Sequence, residues 1–103
     1  MENAVGPILR MSDEVDVIVA AIRDDNPDAA IEVIDRGAYV RVQAPNYLRI
    51  TRETLAHRLG RDDFEMRELE GMLASFAGRI RTSTDDVVWE LLGDDAALAR
   101  KAG

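Results

Sequence analysis

Between residues 13 and 25 the apolar side chains recur at helical spacing: Val15, Ile18, Val19 and Ile22 fall at i, i+3, i+4 and i+7, one stripe of a helix. Ser12 stands upstream as a cap, and Asp13, Glu14 and Asp16 suit the positive end of the helix dipole. Asn26-Pro27 closes the segment, because the residue before a proline is pushed out of the helical region. The flanking stretches follow another period. Val5 to Met11 is a short apolar run with Pro7 near its start, and the missing N–H predicts an edge strand. Ile31 to Asp35 and Ala38 to Ala44 are β-rich runs joined at Arg36-Gly37, a hairpin signal. In the second run Ala38, Val40, Val42 and Ala44 share one face, while Tyr39, Arg41 and Gln43 share the other.

The second half repeats the order. Tyr47 to Ile50 reads as a strand, and Thr51 caps a helix over about 52–59 that carries Leu55 and Leu59. Gly60 falls where a left-handed residue ends a helix. Met66, Leu69 and Leu73 predict a third, short helical piece. Phe76 to Thr82 and Val87 to Leu92 predict a closing hairpin around Ser83-Thr84-Asp85-Asp86. From Gly93 the chain turns acidic and then alanine-rich, the pattern of a frayed tail (93–103) beyond an ordered core of about 5–92.

Ile8-Leu9-Arg10-Met11-Ser12-Asp13-Glu14 laid over Tyr47-Leu48-Arg49-Ile50-Thr51-Arg52-Glu53 gives strand, hydroxyl cap and helix twice. Each copy runs on to a hairpin, so the chain parses as two β-α-β-β units, the second with an insertion near 61–74. That pattern predicts a single α+β domain over 1–103, with its helices packed on a mainly antiparallel sheet.

Composition narrows the function classes. At 103 residues and 47% hydrophobic, the chain supports one core without a disulfide or metal staple. The absence of cysteine removes thiol catalysis, thiolate metal sites and disulfides, and favours no oxidising compartment. The longest apolar run, Val17 to Ile22, is far short of the ~20 residues of a membrane span, and the N-terminus lacks a basic leader region, so the expectation is a cytoplasmic protein. A net charge of −7 repels phosphate backbones and anionic membranes, which disfavours nucleic acid and lipid as partners.

The candidate chemistry is sparse. His57 is the single histidine, lies in a predicted helix beside Arg58, and reads as solvent-facing or capping rather than as a catalytic base. None of Ser12, Ser75 and Ser83 sits in a glycine-flanked elbow, and there is no glycine-rich phosphate loop. Asp24-x-Asn26-x-Asp28 matches the start of a calcium loop, but Ala29 stands where glycine is required and Asp35 where a bidentate glutamate belongs. It reads as a polar turn after a helix. The pairs Asp62-Asp63, Asp85-Asp86 and Asp94-Asp95 read as solvated turn residues. Arginine outnumbers lysine twelve to one, and Tyr39 with Arg41, like Arg79 with Arg81, shares a strand face, a composition met both at protein interfaces and on plain outward sheet faces. From the residues alone the chain is a small α+β binding protein, either a ligand-sensing or a protein-interaction domain, without catalysis of its own.

Seven segments in register carry a resemblance: Val5-Gly6-Pro7-Ile8, Asp25-Asn26-Pro27, Asp35-Arg36-Gly37-Ala38-Tyr39-Val40-Arg41, Leu48-Arg49-Ile50-Thr51-Arg52, Leu59-Gly60-Arg61, Glu68-Leu69-Glu70 and Ser75-Phe76-Ala77-Gly78-Arg79-Ile80. Across about residues 5–91 the chain resembles the effector (coupling or regulatory) proteins of soluble bacterial diiron monooxygenases, above all those of the four-component toluene and alkene systems. The resemblance implies two β-α-β-β units. It also implies a protein without metal, cofactor or activity of its own, a monomer when free. Such a protein docks on the diiron hydroxylase, reshapes its active site, and couples oxygen activation and electron transfer to hydroxylation or epoxidation. It further implies a partner-binding segment at Met72, Leu73, Ala74, Ser75, Phe76, Ala77, Gly78 and Arg79, with Gly78 permitting close approach of two backbones. Tyr39 and Arg41 form a second candidate contact. Related effectors usually read Leu-Glu-Ile-Asn where this chain has Leu69-Glu70-Gly71-Met72, a thioether in place of an amide, and Asp28 replaces the glycine that usually follows Pro27.

Overall fold

Residues 1–91 are described, in a computed structural model; Leu92 and the expected tail 93–103 lie outside the described residues. Seven strands and three helices follow one another: β1 (Ala4–Arg10), α1 (Val15–Asp25), β2 (Glu32–Asp35), β3 (Tyr39–Pro45), β4 (Tyr47–Thr51), α2 (Arg52–Leu59), α3 (Met66–Met72), β5 (Leu73–Ala77), β6 (Arg79–Thr82) and β7 (Asp86–Glu90). All pairings are antiparallel, but they form two sheets rather than one, ordered β2-β3-β1-β5 and β4-β7-β6.

β1 is therefore interior, not the edge strand that Pro7 predicts. The ladder with β3 makes room for the proline: β1 pairs with β3 at Val5–Ala44 and again at Ile8–Arg41, while Gly6 and Pro7 have partners only in β5. Toward β3, Pro7 thus sits where the ladder has no partner for an N–H. Gly6 is held at φ 144°, and a Cβ there would lie 2.0 Å from the Val42 carbonyl oxygen, so the two strands close up only over a glycine.

The first helix starts later than its charge pattern suggests. Glu14, not Ser12, occupies the capping position, and Ser12 Oγ instead accepts the Glu14 N–H at 3.3 Å. The stripe itself is as predicted: Val15, Ile18 and Ile22 are buried, and Val19 packs against the core from the side. In the second half the cap works as read, with Thr51 Oγ1 accepting the Thr54 N–H at 3.2 Å and Gly60 left-handed at φ 67°. α3 begins with reciprocal hydrogen bonds between Glu65 and Glu68, and it ends at Met72, so Leu73 opens a strand instead of closing a helix.

The predicted strand Phe76–Thr82 is two strands. Gly78, at φ 89°, breaks it, so that β5 completes the sheet of the first unit while β6 stays with β7. The two units are thereby interlocked rather than side by side. The core lies between the inner faces of both sheets and the helices: Leu9, Val42, Leu48, Ile50, Val87 and Trp89 are fully enclosed there with Ile22, Leu55 and Leu69. The Trp89 indole N–H is buried without a hydrogen-bond partner among the described residues.

Candidate docking surface

α1 and α2 pack against one another and against β4, and no helix makes comparable contact with the strands of the four-stranded sheet among the described residues, which leaves its outer face without a covering element. Alternation and register decide which side chains stand on it. Ile34, Arg41, Ile8 and Ser75 form one row across β2, β3, β1 and β5. On the next row Arg10 faces Tyr39, and on the other side Ala77 faces Gly6. Ser75, Tyr39 and Arg41 are exposed and Ala77 is half-buried. Two segments far apart in sequence, 39–41 and 75–77, thus meet on one surface.

The rest of the predicted contact segment is divided. Met72 and Leu73 pack against the core, Leu73 opposite Leu9. The register slips between Ile8 and Leu9, making Ala74 the extra residue of a bulge. Phe76 lies opposite Pro7 at the sheet edge and remains 41% exposed. The close approach at Gly78 is internal: a Cβ there would stand 2.6 Å from the Glu90 carbonyl oxygen and 2.6 Å from Val5 Cγ1. Arg79 belongs to the other sheet, opposite Glu90.

That second outer face is electrostatically closed. Arg49 Nε meets Asp86 at 2.8 Å and Arg81 Nε meets Glu90 at 2.8 Å, with Val88 buried between the two arginines in the same row. The Asp86 carboxylate is held below its usual range by the Arg49 guanidinium and then by the Ser83 hydroxyl, while the pairing raises Arg49 and Arg81 further.

The residues of the calcium-like pattern are engaged in the fold. Asp24 forms a two-point ion pair with Arg58 (2.7 and 2.8 Å), and Asn26 donates to the carbonyls of Ile22 and Arg49 while accepting the Arg49 N–H. No group of three metal-ligating side chains occurs among the described residues. His57 is exposed in the last turn of α2. A cleft of about 690 Å³ between α3 and the β6–β7 turn is lined by Arg52, Glu65, Arg67, Glu70, Ser83 and Asp85 among others, and Arg52 is tied to the carbonyl of Phe64 at 2.7 Å. Its Ser83 hydroxyl donates to the Asp86 carboxylate at 2.8 Å and accepts the N–H groups of Asp85 and Asp86, a capped turn.

The model of the MmoB/DmpM family matches residues 3–90. The chain belongs to that family. An MmoB/DmpM relative, the effector subunit of the alkene monooxygenase system of Xanthobacter autotrophicus strain Py2, is 38% identical over 88 residues, 85% of this chain and 86% of its own length. A chain of the phenol hydroxylase–regulatory protein complex is 32% identical with a TM-score of 0.74, covering 84% of this chain and 97% of that one. The regulatory protein B of soluble methane monooxygenase, at 21% identity and a TM-score of 0.70, shares the fold over 99% of this chain and 73% of its own. These relatives are named effector or regulatory proteins, not catalytic components.

Within this MmoB/DmpM fold the sequence pattern misses the centre of the uncovered face. Ile8, Ile34 and Arg36 stand there, yet Val5 to Met11 reads as one undivided apolar run. The alternation of Ala4, Gly6, Ile8 and Arg10 carries the signal, and it becomes readable once β1 is known to have a neighbour on each side.

Proposed function

We propose that this chain is the non-catalytic effector subunit of a multicomponent diiron monooxygenase, that it binds the hydroxylase component, and that it does so through the outer face of its four-stranded sheet. The family match over residues 3–90, with 38% identity to an alkene monooxygenase effector subunit, carries the reading. Ser75, Ala77, Tyr39 and Arg41 are the contacts, with Phe76 and Arg79 at the margin and Met72, Leu73, Ala74 and Gly78 setting the course of the strand. The effect on turnover is conformational. An effector acts only by binding one hydroxylase state more tightly than another; equal affinity for both would change nothing.

The charge of −7 steers association toward a basic partner surface and makes the encounter salt-sensitive. No helix among the described residues is long and apolar enough to cross a membrane, and with the absence of cysteine this supports a place in the cytoplasm. The test is reconstitution: product formed per NADH consumed by the hydroxylase and its electron-transfer partners, with and without this protein. A saturable rise in coupling is expected. Turnover and coupling unchanged at saturating protein would overturn the effector reading.

A further inference from the structure

Arginine charge is absorbed over most of this molecule. Arg49, Arg58, Arg61, Arg67 and Arg81 each meet a carboxylate, and Arg10 and Arg52 donate to backbone carbonyls. Arg23, Arg36, Arg41 and Arg79 do neither among the described residues, although the chain has 20 acidic side chains against 13 basic, and of these four Arg36 and Arg41 lie together. Both line the same hollow. It measures about 290 Å³, lies on the uncovered face of the four-stranded sheet, and is completed by Ile8, Ile34 and Tyr39.

Register fixes its shape. Ile34 and Ile8 flank Arg41 in one row, and Tyr39 stands one row away beside Arg36, whose N–H donates to the Tyr39 carbonyl. Both isoleucines are half-buried, while Tyr39 is 47% exposed. Of the acids on β2, Glu32 is held by Gln43 at 2.8 Å and Asp35 accepts the Gly37 N–H at 2.8 Å. An aliphatic floor beneath two uncompensated guanidiniums is complementary to a carboxylate with an apolar side chain beside it.

We propose that this hollow is the anchor of the docking face and receives an aspartate or glutamate of the hydroxylase surface, together with an adjacent aliphatic or aromatic side chain. The inference rests on the effector reading and narrows it. In a molecule acidic overall, the hollow inverts the local sign, so a partner that is basic around its rim must present an acid at this one point. Such an inversion fixes the register of docking, since a rotated or shifted pose would set like charges against each other.

The test compares hydroxylase affinity, by calorimetric titration, for wild type, the double variant Arg36→Ala/Arg41→Ala and Ser75→Lys, with circular dichroism as the folding control. A photo-crosslinking amino acid in place of Tyr39, with both arginines intact, reports the neighbour independently. The double variant is expected to bind about thirtyfold more weakly or worse. The crosslinked hydroxylase peptide is expected to hold an acid next to an apolar residue, and exchanging that acid for arginine is expected to restore binding to Arg41→Glu. Near wild-type affinity of the double variant, with binding lost in Ser75→Lys, would overturn the hollow and leave the docking face standing. Undiminished binding by both variants would overturn the docking face itself. A dimer of the isolated protein that Arg41→Ala dissolves would assign the hollow to a second copy and overturn the proposal, as would a crosslinked peptide without an acid.

Discussion

The Asp25 carboxylate, at the end of α1, accepts the Thr51 N–H at 2.8 Å and lies 3.1 Å from the Thr51 hydroxyl that caps α2. Thr54 Oγ1 donates to the other carboxylate oxygen at 2.7 Å. One half-buried acid thus joins the last turn of the first helix to the first turn of the second, where the positive helix end favours it. Asp25→Ala would leave these donors without their shared acceptor, and a loss of about 2–3 kcal/mol in folding stability is expected from denaturant midpoints. Asp24→Ala, one residue away, removes only a surface ion pair with Arg58 and is expected to leave the midpoint near wild type.

Two glycines should respond oppositely to alanine. Gly78→Ala places a Cβ 2.6 Å from the Glu90 carbonyl oxygen at a φ of +89°, so both backbone strain and a clash oppose it. A cost above about 2 kcal/mol is expected. Gly71 lies in α3 with open space around it, and Gly71→Ala is expected to raise stability by about 0.5–1 kcal/mol through helix propensity. Thermal unfolding of the two single variants checks the pair.

The apolar stripe of α1 gives a third expectation. Ile18 and Ile22 are 1% and 0% exposed, so truncation of either to alanine leaves a cavity and should cost about 2–4 kcal/mol. Equilibrium unfolding in urea, with the buried Trp89 as fluorescent reporter, measures it.

The helices, the caps at Thr51 and Gly60, and the hairpin at Gly37 were legible because each rests on a local rule: a period, a hydroxyl oxygen, a backbone angle. The sheet order was not. Whether Pro7 lies at an edge depends on β5, a strand more than sixty residues away that reaches β1 only because Gly78 redirects the chain. Ser12 and Thr51 look equivalent in sequence, yet only Thr51 finds a helix N–H three residues on, since the first helix begins two residues later. Of the candidate surface, Tyr39 and Arg41 were legible from alternation, and Ser75 and Ala77 from the family resemblance. Their convergence around Ile8 is a property of the register between strands, which alternation within a single strand does not contain.

Acid should weaken the fold through its ion pairs. The carboxyls of Asp24, Asp63 and Asp86 are held down chiefly by Arg58, Arg61 and Arg49, and that of Glu68 by the Glu65 N–H and then by Arg61. Each folded value lies below the unfolded one, so the folded protein binds fewer protons in this range. The stability these groups add is complete above their ordinary values, 3.8 for aspartate and 4.5 for glutamate, and is lost as pH falls through the lowered folded values. Denaturant midpoints are therefore expected to hold level from neutrality to about pH 5 and then fall, less steeply in Asp24→Asn/Asp86→Asn. The difference should be modest, because the pairs lie at the surface and water screens them.

The last expectation concerns function. Ser75 stands exposed beside Ile8 on the uncovered face, and Ala77 stands opposite Gly6, where a small side chain leaves the backbone open to approach. Ser75→Lys and Ala77→Glu should each abolish stimulation of the hydroxylase while circular dichroism shows a folded protein. A charge introduced there would be buried against the partner without a counter-ion. That penalty of several kcal/mol rivals a micromolar complex, worth about 8 kcal/mol. Loss of affinity should come first, seen as turnover that recovers in part when the variant is supplied in large excess. Turnover and NADH coupling equal to wild type in both folded variants would remove the β5 edge from the interface and leave the part of the sheet around Tyr39 and Arg41 as the docking surface to test next.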